Sequence, residues 1–221
     1  MKIDRHGRAK ILTQDEIYSL FNQGFIRDKH KALFAICLYT ACRIGEAVSL
    51  KTNDIYDRYG RMRSELNIRK EQTKGKLATR TIPIVDDLKR YLEIYKRPKH
   101  EYLFPARQNN KTVGHIKTTS AGAILAEACD RIKLVGVSSH SFRRTALTQM
   151  SNAGIPLRVI QEISGHRTLD ELYKYLEVKP EQIRGAVASL SMLSPVERVE
   201  EEVSSEKPLL DPADPFINFK F

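Results

Sequence analysis

Three cysteines, Cys37, Cys42 and Cys129, are all the chain contains. They show neither the spacing of a metal cluster nor the pattern of a disulfide framework. A zinc module and a disulfide-stapled domain are excluded, and free thiols suit a reducing compartment. No apolar run approaches the roughly 18 residues that a membrane-crossing helix needs. The opening MKIDRHGR lacks the apolar segment of a secretory signal. A cytoplasmic protein with no membrane partner is expected. Internal repeats are also lacking.

What is present is a chain of 221 residues, 41% of them apolar, enough for one medium domain with its own core. Its charge of +10 is unevenly placed. From Pro195 to Phe221 there are seven acids and three bases, which leaves 34 bases against 20 acids, or +14, on residues 1–194. A body of that sign attracts polyanions, nucleic acid foremost, although a solvated basic face with no ligand has the same composition.

The pattern is mainly helical with one small antiparallel sheet inserted, an α+β class. Thr13-Gln-Asp-Glu16 is a capping box ahead of Ile17, Leu20 and Phe21. KALFAICLYTA reads as a buried helix, and Cys42–Leu50 as another with Ile44, Ala47 and Val48 inward. Two β-type runs, about Glu65–Arg69 and Thr79–Val85, flank a turn containing lysine and glycine. DDLKRYLEIYK returns to helix, YLFPAR reads as an ordered loop, and TSAGAILAEACDRI is helical again. Three later helices are predicted over about Ser141–Asn152, Pro156–Ile163 and Leu169–Val178. After Lys179, the stripe Ile183, Ala186, Val187, Leu190, Leu193 predicts an amphipathic helix. The acidic, Ser- and Pro-containing residues 195–221 read as a disordered tail. Three regions follow: a domain over 1–180, the helix over 181–194, and the tail over 195–221.

Chemistry concentrates late in the chain. In HSFRRT, His140, Arg143 and Arg144 share one helix face, with Phe142, Ala146 and Met150 opposite. A solvated basic face accounts for this segment equally well. Arg43 follows a buried helix, and Glu46 one turn on is placed to hold its fork. In SGHRTLDELYKYLEV, Thr168-Leu-Asp-Glu171 is a second capping box. The stripe Leu169, Leu172, Tyr173, Leu176 then makes Tyr173 core and leaves Tyr175 off the stripe, available for work.

Taken in order, Arg-x-x-Glu in TACRIGEAVSL (Arg43, Glu46), His-x-x-Arg in HSFRRT (His140, Arg143), and SGH with His166 nine residues before Tyr175 resemble the catalytic domain of the tyrosine recombinases, the phage-integrase family. The resemblance covers about Leu12 to Leu193. It implies that fold, and Tyr175 as a nucleophile that cuts double-stranded DNA to form a 3′-phosphotyrosyl link. Arg43 and Arg143 would stabilise the phosphate charge, with His140 and His166 hydrogen-bonding to it or taking the phenol proton. A lysine in the hairpin turn TKGKLATRTIPI, Lys74 or alternatively Lys76, would protonate the leaving oxygen. The resemblance calls for no metal, cofactor or small-molecule substrate. It implies a homo-oligomer on DNA, a tetrameric synapse, with the helix of EQIRGAVASLSML donated to a neighbour. Only 42 residues precede Arg43, so a short form without the family's separate N-terminal DNA-clamping domain is expected. SGH stands where Leu-Gly-His is commoner. Two other readings share these features: a DNA-binding regulator without turnover, and a type IB topoisomerase.

Overall fold

The first helix begins where its capping box predicts. The Thr13 hydroxyl accepts the Glu16 N–H (3.2 Å) and Glu16 Oε2 accepts the Thr13 N–H (3.0 Å), so two donors that a helix start leaves free are satisfied. This is α1, Gln14–Ser19, in a computed structural model that describes residues 9–69, 79–108, 111–176, 178 and 180–193. It runs on into a π-turn, Leu20–Gly24, that buries Leu20 and Phe21.

Helix α2, Asp28–Thr40, is buried along Ala32–Cys37. An element apolar on all sides must lie inside the domain, and α2 packs against α4 (Asp86–Tyr95) and α6 (Ser139–Asn152). Phe34 stacks on Phe25 with ring centroids 4.8 Å apart and meets Phe142 at 5.0 Å. Each such ring contributes about 1.5–3 kcal/mol by leaving water. At the end of α2, Ala41 adopts φ 51°, a left-handed conformation that costs an L-residue about 1–2 kcal/mol. That turn delivers Arg43 to the N-cap of α3, Ile44–Val48. Helix α3 is shorter than the expected Cys42–Leu50; Ala47 and Val48 are buried, and Ile44 is only half-buried.

The expected sheet is present as β1, Glu65–Ile68, antiparallel to β2, Arg80–Pro83. Leu66, Ile68 and Ile82 point into the core. On the other face the Thr81 hydroxyl donates to Asn67 Oδ1 (2.9 Å). Lys74 and Lys76, in the turn between these strands, lie outside the described residues.

YLFPAR is not simply a loop. Pro105–Gln108 (β3) pairs antiparallel with Lys111–His115 (β4), with an irregular register between Pro105 and Arg107. PARQ and KTVGH show no alternation of apolar and polar residues. Their pairing rests on backbone bonds, which leave no side-chain pattern to read.

Helices α5 (Thr118–Arg131), α6, α7 (Leu157–Ser164) and α8 (Leu169–Tyr173) complete the domain. Helix α8 is half its predicted length. Thr168 accepts the Glu171 N–H (3.3 Å), but Glu171 reaches back to the Arg167 N–H (3.2 Å) rather than closing a full capping box. A separate unit starts at Lys179. In it, α9 (Pro180–Ala188) passes into a 3₁₀ segment, Ser189–Leu193, with Ile183, Val187, Leu190 and Leu193 exposed. Among the described residues no helix is long and apolar enough to cross a membrane, and no His, Cys, Asp or Glu cluster is arranged for a metal ion.

Candidate active site

Five sequence-predicted residues can be placed, and four of them converge. Arg43 sits at the start of α3, Arg143 in the second turn of α6, His166 after α7 and Tyr175 after α8. Their meeting point is the end of α2. The Ala41 carbonyl, turned by its left-handed backbone, accepts a hydrogen bond from Arg143 Nη1 (2.6 Å).

Arg143 is almost wholly buried. It is therefore not on a solvated face. Its Nη2 donates to His166 Nε2 (2.9 Å), and its Cζ lies 5.8 Å from the Tyr175 ring centroid. Burial first, and then the neighbouring Arg43, push its pKa down to about 10. The guanidinium still carries its charge at neutral pH.

His166 has one tautomer compatible with these contacts. Arginine can only donate, so Nε2 must accept and the ring proton must sit on Nδ1. Ser164 Oγ, 2.8 Å from Nδ1, accepts that proton and passes its own hydroxyl to the Gln161 carbonyl (3.2 Å). Ser164 thus orients the ring, which accounts for a polar residue in SGH. Burial, followed by the charges of Arg143, Arg43 and Arg80, holds the His166 pKa down to about 3. Its neutral form prevails in the folded state.

A stability consequence follows from that depressed value. An unfolded histidine binds a proton below about pH 6.5, whereas folded His166 resists protonation to about 3. Between those values the unfolded state binds more protons, so stability falls as pH is lowered through the window. His166→Gln is expected to flatten this acid-side loss in a series of denaturation midpoints from pH 7 to 4. Parallel slopes for wild type and variant would contradict it.

Tyr173 and Tyr175 exchange the surroundings that the sequence predicts for them. Tyr173 is 52% exposed, while Tyr175 is half-buried against Ala41, Leu147, Ile160 and Leu172. For Tyr175 the cause is the early end of α8 at Tyr173, beyond which the 100° helical step no longer applies. Leu169 and Tyr173 lie within α8 and are exposed, and Leu172 is the fully buried residue of the expected stripe. Tyr175 remains the tyrosine at the cluster, its ring 5.0 Å from that of His166.

His140 is exposed in the first turn of α6, one turn before Arg143. Arg144 does not join a basic face. It is buried and its Nη1 donates to the Ala9 carbonyl (2.6 Å), tying the N-terminal segment to α6.

Sequence reasoning missed Arg80. Glu46, 1% exposed, takes Nη2 of Arg80 at 2.7 Å and Nη1 at 3.4 Å. Arg43 binds the same carboxylate mainly through its backbone N–H (2.8 Å), with Nη1 at 3.4 Å. Burial works to raise the Glu46 pKa, yet Arg80, the Arg43 N–H and Arg143 outweigh it and hold it below the usual value. The carboxylate stays charged. Gly165 closes α7 at φ 64°, and a Cβ there would overlap the Arg80 guanidinium. One signal was available: in TRTIPI, Arg80 is in phase with inward-facing Ile82, an arginine on the core side of a strand. Three guanidinium groups, one carboxylate and a neutral imidazole leave net positive charge around the Tyr175 ring, fit for a phosphodiester.

Comparison with known proteins shows the family and the fold. The profile described as the phage integrase family matches residues 10–182. The tyrosine recombinase XerA of Pyrococcus furiosus is 32% identical over 192 residues, 83% of this chain and 63% of that protein. A tyrosine recombinase of Thermosipho africanus is 27% identical over 183 residues, 81% of this chain and 61% of that protein. The chain thus spans about three fifths of the length of these relatives. Among solved structures, the catalytic domain of bacteriophage HP1 integrase superposes with a TM-score of 0.59 at 21% identity, covering 86% of this chain and all of that domain. A XerA recombinase structure gives a TM-score of 0.64 at 20% identity, covering 87% of this chain and 68% of that one. The fold is that of a tyrosine recombinase catalytic domain.

Proposed function

The chain belongs to the phage integrase family, and from that premise we propose that it is a site-specific recombinase, cutting and rejoining double-stranded DNA through a covalent link to Tyr175. The observation that carries this reading is the Tyr175 ring, 5.0 Å from the His166 ring and 5.8 Å from the Arg143 guanidinium carbon, beside a cluster in which Glu46, among the described residues, is the carboxylate set against Arg43, Arg80 and Arg143. A protein that only bound DNA would have no use for a phenol at that point.

The chemistry follows from the residues. A phosphodiester repels a nucleophile, and in-line attack places more charge on its non-bridging oxygens. Forked donors fixed in advance stabilise that charge, because they need not reorganise during the reaction. Arg143 is held by Ala41, and Arg43 by Glu46, itself clamped by Arg80. With Arg143 still held by the Ala41 carbonyl, a phosphate oxygen that takes over the Nη2 hydrogen bond frees the Nε2 lone pair of His166 beside Tyr175 to take the phenol proton. The Tyr175 Oη–P bond forms as the bond from phosphorus to the 5′-oxygen breaks. Lys74 is our candidate for the acid that protonates that oxygen, and His140 for a further hydrogen bond to the phosphate. Rejoining reverses these steps with a different 5′-hydroxyl, so the ester energy is kept and no ATP or metal is called for.

The test is a suicide duplex, nicked so that the 5′-hydroxyl fragment diffuses away. Incubated with the protein in EDTA, it should yield a protein–DNA adduct that survives denaturing gels. Absence of any adduct on DNA from the gene's own neighbourhood would reject the reading.

We further propose that the protein works as a homo-oligomer joined through α9. Ile183, Val187, Leu190 and Leu193 make an exposed apolar stripe, an arrangement a second copy would cover. Truncation after Lys179 should leave a folded domain that still binds DNA but does not complete strand exchange. A truncated protein recombining at the wild-type rate would remove α9 from the mechanism.

A further inference from the structure

Arg80 marks the catalytic end of the small sheet, paired with Ile68, and the Glu65–Pro83 pair marks the other end. The two are three residue steps, about 10 Å, apart. Past that far end, the Ile84 N–H donates to the Ser64 carbonyl and the Arg63 N–H to the Ile55 carbonyl, each at 2.8 Å. Asp57 then closes a turn by accepting the N–H groups of Tyr59 and Arg61, each at 2.9 Å.

A groove of about 760 Å³ opens against this turn, lined by Lys51, Arg58, Arg63, Arg97, Lys99 and His100. Its two carboxylates are already engaged: Asp57 with Arg61 Nε (3.0 Å) and Glu101 with Lys51 (2.9 Å). Among the described residues, Arg58, Arg63, Arg97 and Lys99 form no ion pair. The walls are also shaped. Gly60 has φ +83°, and the Arg97 guanidinium lies 2.7 Å from where a Cβ would stand, so this fork rests on bare backbone. Beside it the exposed Tyr59 ring carries Arg58 at 4.7 Å and Arg61 at 5.2 Å from its centroid, an aromatic surface with cations on it.

We infer that this groove is a second DNA-binding site, which takes the phosphodiester backbone away from the point that Tyr175 attacks. Four cations spread around a space this large exceed what one phosphate can engage. A run of phosphates engages them together and releases counterions at each contact. Three of the four are arginines, whose forks match phosphate oxygens two at a time. None of these residues belongs to the catalytic cluster. The inference does not depend on Tyr175 being the nucleophile, because its readout is equilibrium binding.

The test compares wild type with an Arg58→Gln, Arg63→Gln, Arg97→Gln triple variant. All three positions are exposed, so an unchanged denaturation midpoint is expected. A second triple variant, Lys89→Gln, Arg90→Gln, Lys133→Gln, removes the same charge from exposed positions elsewhere. Affinity for a duplex of about 40 base pairs is followed by fluorescence anisotropy over a salt series; the slope of log affinity against log salt should become shallower by about 2–3 in the groove variant, given about 0.9 per phosphate contact. The control variant should stay near wild type. If the groove holds an arm of the duplex bound at the active site, a duplex of about 14 base pairs will show little difference. If it holds a separate duplex, the short DNA will instead lose its second binding step. Equal slope changes in the two triple variants, or no change in either, would overturn the site.

Discussion

Tyr175→Phe is expected to abolish covalent attachment to DNA and to leave DNA affinity almost unchanged. The substitution removes one oxygen and keeps the ring that packs on Ala41, Leu147, Ile160 and Leu172. Fold and charge therefore stay as they were, and only the nucleophile is lost. Tyr173→Phe is the matched control. That ring is 52% exposed and stands outside the cluster, so adduct formation should proceed at close to the wild-type rate. Gel detection of the adduct decides it: a covalent product from Tyr175→Phe protein, or none from folded Tyr173→Phe protein, would place the chemistry on another residue.

Arg143→Ala should be nearly as damaging, for two separable reasons. Loss of one preorganised donor to a developing oxyanion typically costs 10²–10³ in rate, about 2.7–4 kcal/mol. Arg143 also has structural duties, since its Nη1 satisfies the Ala41 carbonyl and its Nη2 the lone pair of His166. Leaving such groups without partners costs about 1–3 kcal/mol of stability. Arg43 separates the two effects. Its side chain is 24% exposed and spans only part of the Glu46 contact, which Arg80 maintains independently. Arg43→Ala should thus lower the rate of adduct formation by a similar factor with a much smaller shift in denaturation midpoint. Equal loss of stability in the two variants would show that the distinction between their environments is wrong.

What was legible in the chain was what depends on near neighbours. Thr13 and Glu16 bond within one turn, and the helix starts where they stand. Arg43 to Glu46 and His140 to Arg143 are local spacings, so the motifs that name the family, and with it the fold, need no knowledge of distant contacts. The same holds for β1 and β2, whose inward residues Leu66, Ile68 and Ile82 reveal themselves by alternation and apolarity. The β3–β4 pair had no such alternation and stayed hidden.

The order of residues by itself therefore determined the helical elements, the small sheet, the basic charge of residues 1–194 and which groups are proposed to react. Only the tertiary structure decided how those groups are held. Arg80 meets Glu46 across 34 residues of sequence, and Arg143 meets Ala41 across 102. Such pairs form because a buried charge or carbonyl must find a partner, and packing chooses which one. The neutral state of His166 depends on its burial and on Arg143, Arg43 and Arg80, gathered from separate elements. Tyr175 left its expected outward face for a related reason. A helical step predicts a face only while the helix lasts, and α8 ends at Tyr173, where the chain turns Tyr175 in toward Arg143.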